Sequence, residues 1–287
     1  MNYINSPIEK IKFNNKSYFI KRDDLLHKDF SGNKARKFYY FLQDDLKNIK
    51  KIVSHGSAQS NAMYSLSVLC KLKDIEFDYY VDHIASYIKE NPNGNYKEAL
   101  NNGMNIYESQ IPDYFEEDTL FIKEGGALKE AAFGIKILAD EIISWCKENN
   151  KKDIKVFLPS GTGTTALYLQ KFLPFEVLTC ACVGNDEYLK EQFSELEKTN
   201  HPKILKSEKK YHFGKLYKEF YEIHKKLLDQ TKIEFDFLYD CKGWLILENC
   251  LKDLNIKDEI IYIHQGGLLG NISMLERYKH KYENKEK

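Results

Sequence analysis

The feature that most constrains the fold of this chain is an alternation of short β-like runs with longer amphipathic stretches. The predicted strands lie at 51–53, 77–81, 120–122, 154–158, 177–183 and 259–264. Helical stretches lie between them at 34–45, 61–73, 125–149 and 163–172, long enough for the crossovers that parallel strands require. This order predicts an α/β fold in which a parallel or mixed sheet carries helices on both faces.

The length of the chain bears on its division into domains. At 287 residues it can fold as one large domain or as two. The pattern changes near 44–50 and again near 125–133. We therefore expect a small α/β domain at 46–133, inserted into a large domain formed by 1–45 and 134–287.

Charge and composition narrow the functional classes. The 43 basic and 43 acidic side chains give a formal net charge of zero, which argues against a nucleic-acid or membrane-surface partner. No apolar run reaches the ~18 residues of a membrane span, and residues 1–6 lack the features of a signal peptide, so a cytoplasmic location is expected. Apolar residues make up 43% of the chain, which excludes disorder. A globular enzyme or ligand-binding protein remains, and no metal site is predicted.

Lys34 lies in the first turn of a predicted helix, after the small polar loop 31–33. The positive end of a helix disfavours a nearby cation, so the pKa of Lys34 is expected to be lowered, and burial would lower it further. An amine kept partly neutral can form an imine with a carbonyl group. The alternative is that Lys34 is one more solvated lysine in a lysine-rich chain.

A second polar loop, at 54–61, follows a predicted strand and precedes a helix. The unpaired N–H groups of that helix can hold a carboxylate. Ser60 and Asn61 add hydroxyl and amide donors, which would suit an amino-acid carboxylate and the phenolic oxygen of a cofactor. The alternative is an ordinary helix N-cap, for which Ser60 would suffice.

A third loop, at 158–166, combines glycines with hydroxyl groups. Its central residues are Gly161, Thr162, Gly163, Thr164 and Thr165. Free backbone N–H groups and hydroxyls can cradle a phosphate, although the lysine of a Walker A loop is missing. The loop also fits the dinucleotide pattern G-x-G-x-x-A, with Asp186 about 20 residues further on, so an NAD(P)-dependent oxidoreductase is an alternative. The hydroxyls favour a terminal monophosphate such as that of pyridoxal phosphate.

Taken in order, these segments resemble the pyridoxal-phosphate-dependent family that contains 1-aminocyclopropane-1-carboxylate deaminase and D-cysteine desulfhydrase. The matching motifs are K-R-D-D-L at 21–25, G-N-K-A-R-K at 32–37, Q-S-N at 59–61, N-P-N-G-N at 91–95, E-G-G at 124–126, the loop at 160–165, Tyr239 with Lys242, and H-Q-G-G at 264–267. The resemblance implies the tryptophan synthase β-like fold, also called fold type II. It also implies a homodimer that deaminates a small amino acid, by β-elimination or by opening of a cyclopropane ring, to a keto acid and ammonia.

The resemblance also implies roles for individual residues. Lys34 would hold pyridoxal 5′-phosphate as an imine and transfer protons, and Asn61 would hold the ring oxygen of the cofactor. Ser60 would bind the substrate carboxylate or act as a nucleophile, with Tyr239 over the substrate. The loop residues 161–165 would hold the phosphate.

Two positions depart from both activities of the family. The deaminases resemble Tyr-Glu and His-Leu-Gly-Gly, whereas the desulfhydrases carry a small hydroxyl residue at both variable positions. This chain has Asp240 and Gln265 there. Asp240 is expected to contact the pyridine nitrogen of the cofactor, and Gln265 to add an amide at the substrate. A pyridoxal-phosphate-binding protein without turnover is therefore a further alternative.

Overall fold

A computed structural model describes residues 3–30, 32–253 and 259–283, and within these ranges the strands form two sheets. The larger sheet contains β1 (Ile8–Phe13), β2 (Lys16–Arg22), β7 (Ile154–Ser160), β8 (Glu176–Ala181), β9 (Lys203–Ile204) and β10 (Glu259–His264). The smaller sheet contains β3 (Lys51–His55), β4 (Glu76–Val81), β5 (Met104–Glu108) and β6 (Thr119–Ile122).

The larger sheet is mixed and the smaller one is parallel. Strand order in the larger sheet is β1-β2-β10-β7-β8-β9, and only β1 and β2 pair antiparallel among these described strands. Their hairpin turns at Asn14 and Asn15, both with positive φ, as a two-residue turn requires. Order in the smaller sheet is β5-β4-β3-β6. The predicted α/β class with parallel and mixed sheets is confirmed.

Helices follow most strands. They are α1 (Asn33–Lys37), α2 (Tyr39–Gln43), α3 (Asn61–Lys73), α4 (Ser86–Glu90), α5 (Gly94–Asn101), α6 (Ala131–Glu148), α7 (Thr164–Phe172), α8 (Asp186–Leu196), α9 (Lys218–Thr231), α10 (Asp240–Asp253) and α11 (Gly270–Tyr282). The helix predicted at 34–45 is in fact two short helices that meet at Phe38. The helix predicted at 125–149 begins only at Ala131, because Gly125 has a positive φ within a preceding 3-10 turn.

The larger sheet is buried on both faces, as its apolar central strands require. Along β10, Ile261 and Ile263 pack with α6 and α7, whereas Ile260 and Tyr262 pack with α9, α10 and α11. A separate apolar core joins α3 and α5 to β3 and β4. The carboxyl ends of β3, β7 and β10 lead into the polar loops singled out in the sequence.

The smaller sheet, at 51–122, falls within the range expected for the small domain. The limits of the two domains, 46–133 against 1–45 with 134–287, stay a proposal. Among the described helices, none is both long enough and apolar enough to cross a membrane.

Candidate active site

One cleft brings together residues of both sheets. Its walls come from α1, the start of α3, the loop between β7 and α7, and the segments before α10 and after β10. The predicted site residues that line it are Lys34, Ser60, Asn61, Gly161, Thr162, Gly163, Thr164, Thr165, Tyr239 and Gln265. Ser31, part of the first polar loop, lies outside the described residues. We call this space the cofactor cleft.

Lys34 is half-buried in the cofactor cleft, and its Nζ donates to Asn33 Oδ1 at 3.1 Å. Burial lowers the pKa of Lys34 to about 8, and the carboxylate of Asp236 partly opposes this shift. The direction agrees with the sequence prediction. The main cause is desolvation rather than a helix dipole, since α1 has only five residues.

Gly32 allows the lysine loop to pack against the end of β10. Its φ is +40°, and a Cβ atom there would lie 2.0 Å from the carbonyl oxygen of Gln265. The N–H of Asn33 donates to the same oxygen at 2.9 Å. Only glycine fits this close approach, which explains the first residue of the motif at 32–37.

The side-chain amide of Gln265 is occupied by the protein. Its Nε2 donates to the carbonyl of Pro159 at 2.7 Å, and its Oε1 accepts from Asn33 Nδ2 at 2.8 Å. The sequence placed this amide at the substrate. In the structure Gln265 instead ties the lysine loop to the end of β7.

The loop between β7 and α7 has an unfilled hydrogen-bond capacity. Thr165 Oγ1 is buried and has no partner within the described part of the chain, and the hydroxyls of Thr162 and Thr164 contact only each other, at 3.1 Å. Gly163 has a φ of +72°, and a Cβ atom there would lie 2.3 Å from the ring of Phe193. A small anion with several oxygens would satisfy this loop.

Ser160 does not join that set. Thr179 Oγ1 donates to the carbonyl of Leu158 at 2.7 Å, so the 2.6 Å contact between the two hydroxyls uses the proton of Ser160. Ser160 therefore has no proton left for a phosphate.

A second lysine, Lys37, lies beside this loop and was not singled out from the sequence. It is buried, and its Nζ donates to the carbonyl of Gly125 at 2.9 Å. A Cβ atom on Gly125 would lie 3.0 Å from Thr162, so this carbonyl adjoins the phosphate-type loop. Burial, with the nearby charge of Lys34, holds the pKa of Lys37 well below its usual value. A buried cation whose printed partner is a neutral carbonyl fits an incoming anion. Its spacing of three residues from Lys34 was the available sequence signal.

The carboxyl group in the cofactor cleft belongs to Asp236, not to Asp240. Asp240 is fully buried, is not among the described residues that line the cleft, and accepts from the hydroxyl of Tyr262 at 2.7 Å and from the N–H of Asp236 at 3.2 Å. The expected contact between Asp240 and the cofactor nitrogen is therefore corrected. Both acceptor bonds turn its carboxylate toward the sheet, behind the wall of the cleft.

Asp236 was missed in the sequence. Its Oδ1 accepts from the N–H groups of Tyr239 at 2.5 Å and Asp240 at 3.2 Å, so it caps the start of α10 and fixes the backbone of Tyr239. Burial raises the pKa of Asp236 to about 6, against the effects of these N–H groups and of Lys34. An aspartate three residues before a predicted helix was the available signal.

Ser60 caps α3, as the simpler sequence alternative expects. Its Oγ accepts from the N–H groups of Ala62 at 3.1 Å and Met63 at 3.4 Å. Its hydroxyl proton remains able to donate, and it lies beside the hydroxyl of Tyr79. Two accepted hydrogen bonds weaken the oxygen as a nucleophile, so the geometry favours carboxylate binding.

Asn61 is oriented by a buried neighbour. Asn95, fully buried, donates from Nδ2 to Asn61 Oδ1 at 2.7 Å and to the carbonyl of Gln59 at 2.9 Å. The accepted bond fixes which end of the Asn61 amide is oxygen, so its Nδ2 is the donor end. That nitrogen approaches Gly267, where a Cβ atom would lie 2.7 Å away.

Tyr239 forms the opposite wall. A Cβ atom on Gly161 would lie 3.3 Å from the Tyr239 ring, which therefore covers the phosphate-type loop. Burial, with the nearby charge of Asp236, raises the pKa of Tyr239. Its hydroxyl is thus protonated at neutral pH and can donate.

The geometry does not favour the dinucleotide alternative. Asp186, which would bind the ribose, begins α8 and is not among the described lining residues of the cofactor cleft. The side chains of Lys34 and Lys37 line the space next to the loop. The site fits one phosphate group and a small aldehyde better than a bridging pyrophosphate.

Known proteins support the same reading of the fold. No protein-family profile matches the chain. A rice protein (Oryza sativa subsp. japonica) named putative D-cysteine desulfhydrase 2, mitochondrial, is 23% identical over 343 residues, covering 93% of this chain and 81% of its own length.

Solved structures are similar over almost the whole chain. A crystal structure of an ACC deaminase homologue has a TM-score of 0.76 at 21% identity and covers 95% of this chain and 92% of its own. A threonine deaminase from the organism abbreviated T.th. has a TM-score of 0.65 at 12% identity, covering 91% and 92%. A hydrogen sulfide-producing enzyme from Fusobacterium nucleatum has a TM-score of 0.58 at 13% identity, covering 92% and 95%. The chain thus has the tryptophan synthase β-like fold of the fold type II pyridoxal-phosphate enzymes, and the resemblance found in its motifs is confirmed.

Proposed function

We propose that this protein binds pyridoxal 5′-phosphate and deaminates a small amino acid, giving a keto acid and ammonia. The observation that carries the proposal is the position of Lys34. A lysine whose pKa is about 8 lies in one cleft with an unsatisfied loop suited to a phosphate. The names of the similar proteins, a desulfhydrase, deaminases and a hydrogen sulfide-producing enzyme, support the same chemistry.

The residues present fit the cofactor. Residues 161–165 would hold its phosphate, and Lys37 would balance the phosphate charge. Asn61 would donate from Nδ2 to the ring oxygen, and Lys34 would form the covalent link. When bound, pyridoxal phosphate supplies an electron sink for negative charge at the α-carbon of the substrate.

The chain's own groups would handle the substrate. Ser60 would donate its hydroxyl proton to the substrate carboxylate, and the protonated Tyr239 would donate from the opposite wall. Once the substrate displaces it, Lys34 would take the proton from the α-carbon, because an amine with a pKa near 8 can gain and lose a proton near neutral pH. Elimination of a β leaving group and opening of a cyclopropane ring both remain open, since Asp240 and Gln265 fit neither pattern.

Assembly and location are further parts of the proposal. We propose a homodimer in the cytoplasm whose partner is the small amino-acid substrate, with no nucleic-acid or membrane partner. The formal net charge of zero supports the last two points. The name of the rice relative places that protein in mitochondria.

The test is a turnover assay of the cofactor-loaded protein with D-cysteine, L-cysteine, D-serine and 1-aminocyclopropane-1-carboxylate. We expect equal amounts of ammonia and keto acid from at least one of them, and none from Lys34→Ala. Lys47→Ala, at an exposed lysine outside the cleft, is the matched control and should keep full activity.

Other results would favour the alternatives. A yellow protein that is inert toward all four amino acids would indicate a non-catalytic pyridoxal-phosphate-binding protein. Binding of NAD(P) without pyridoxal phosphate would indicate the oxidoreductase.

A further inference from the structure

A second, larger cavity adjoins the cofactor cleft. We call it the outer cavity; it has a volume of about 800 Å³ and shares Ser60, Asn61 and Tyr239 with the cleft. These are the residues proposed to face the substrate, so a substrate side chain would extend from them into this space. The seven non-hydrogen atoms of cysteine would fill only roughly 200 Å³, at the ~30 Å³ that a water molecule occupies in the liquid. The outer cavity is several times larger than cysteine or aminocyclopropane carboxylate needs.

Apolar side chains form the wall of the outer cavity nearest Tyr239. They include Phe213, Leu238, Val183 and Met274. The ring of Phe213 lies 5.3 Å from the ring of Tyr239, centre to centre, yet 42% of Phe213 is exposed. A large, exposed aromatic ring beside the proposed reaction site is typical of a surface that a ligand covers.

The loop that carries Phe213 is fixed from the outer side. Arg277 donates from Nη2 to the carbonyl of Gly214 at 3.0 Å, and the N–H of His212 donates to the hydroxyl of Tyr217 at 2.9 Å. Lys281 Nζ donates to the carbonyl of Leu216 at 3.0 Å. These bonds hold the loop on both sides of Phe213, so the aromatic wall is formed before any substrate binds.

The charged side of the outer cavity does not change this conclusion. Arg277 lines the cavity, but its guanidinium also contacts Met274 Sδ at 3.1 Å besides the carbonyl of Gly214. Its described bonds therefore serve the wall. The acidic lining residues Asp82 and Glu124 are exposed.

We propose that the substrate is a cysteine whose sulfur carries an extended apolar group, that is, a thioether amino acid. This inference rests on the proposed function. The α-proton passes to Lys34, and the bond between the β-carbon and sulfur breaks with its electron pair leaving on sulfur. The thiolate takes up a proton and leaves as a thiol. Water then converts the remaining three-carbon enamine to a keto acid and ammonium, so that thioether and water give thiol, keto acid and ammonium.

Phe213 determines specificity in this proposal by contacting the group on sulfur. Phe213→Ala should raise the KM for a thioether with a large apolar group and leave that for cysteine unchanged. Phe133→Ala is the matched control, because Phe133 is 48% exposed, stacks on Tyr39 and lies outside both cavities.

The experiment compares keto-acid release from cysteine, S-methylcysteine and S-benzylcysteine, each in both enantiomers, by the cofactor-loaded protein. For the accepted enantiomer, kcat/KM should rise along the series, by roughly tenfold or more for the benzyl compound, as expected for burying an aromatic ring. Phe213→Ala should remove most of this gain through KM, and Phe133→Ala should retain it.

The contradicting results separate the two proposals. If cysteine is turned over as well as S-benzylcysteine or better, the thioether proposal is wrong and the proposed function stands. If Phe213→Ala weakens turnover of cysteine and S-benzylcysteine equally, Phe213 supports the fold and does not select the substrate. A protein that turns over none of the compounds contradicts both proposals.

Discussion

The chemistry of the site depends on the balance between Lys34 and Asp236. Burial favours the neutral form of each, lowering one pKa to about 8 and raising the other to about 6, while their opposite charges oppose both shifts. The sequence predicted the direction for Lys34 from its place after a loop. It did not predict Asp236, because the two residues are about 200 positions apart and only the fold brings them together.

Removing the charge of Asp236 should lower the pKa of Lys34 further. The carboxylate of Asp236 stabilises the ammonium form, and Asp236→Asn keeps an oxygen for the N–H of Tyr239 while losing that charge. Because the neutral amine forms the imine, cofactor loading of the apo protein should speed up as pH rises through about 8 in the wild type. In the variant this midpoint should move to lower pH.

The measurement is the rate at which the bound-cofactor absorbance grows after pyridoxal phosphate is added at a series of pH values. Asp186→Asn, outside the cleft, is the control and should leave the midpoint unchanged. A midpoint for Asp236→Asn that is unchanged or higher contradicts the assigned coupling.

Helix α1 holds Lys34 in place through a buried ion network. Arg36, fully buried, contacts Asp23 Oδ1 at 2.8 Å and Glu141 Oε1 at 2.6 Å, while Lys21 contacts Glu141 Oε2 at 2.6 Å. The network joins the turn after β2 to α1 and α6. It accounts for two charged residues of the motifs at 21–25 and 32–37 that have no place in the cleft.

Breaking this network should cost far more stability than breaking a surface pair. Arg36→Met leaves Asp23 buried without its main partner, so unfolding free energy should fall by about 3–5 kcal/mol. Lys136→Met, which breaks an exposed pair with Asp140 on α6, should cost less than about 1 kcal/mol. Urea unfolding of both variants checks this, and equal losses would contradict the network's role.

The sequence predicted some elements better than others, for physical reasons. Strand β10 and helix α3 were predicted with their observed bounds, because long apolar or amphipathic runs dominate there. Strands β1 and β2 were missed, since charged residues interrupt their apolar pattern. The break at Phe38 was missed because no glycine or proline marks it.

At the scale of the whole molecule, the site lies where the two sheets face each other. The order of motifs along the chain predicted the fold and most of the residues that line the cofactor cleft. Three features needed the folded chain: the contact of Asn95 with Asn61, the burial of Asp240 behind the wall, and the outer cavity. Each depends on segments far apart in sequence, whose approach no local pattern specifies.

Because the cleft joins both sheets, the cofactor should stabilise the whole protein. At a concentration of 100 times its Kd, a ligand adds about 2.7 kcal/mol to the unfolding free energy. For a chain of this size the Tm should then rise by roughly 5–10 °C. Pyridoxal, which lacks the phosphate, should give a clearly smaller rise at the same concentration. Thermal melts followed by circular dichroism check this, and equal rises with both compounds would show that the loop at 161–165 does not bind the phosphate.

Reduction of the cofactor-loaded protein with borohydride, followed by mass spectrometry of its peptides, tests most directly whether Lys34 carries the cofactor. Lys37 is the informative competitor, because burial lowers its pKa too and it lines the same cleft. We predict a reduced cofactor adduct on Lys34 and its loss in Lys34→Ala. An adduct on Lys37, or no adduct on any lysine, would contradict the assignment.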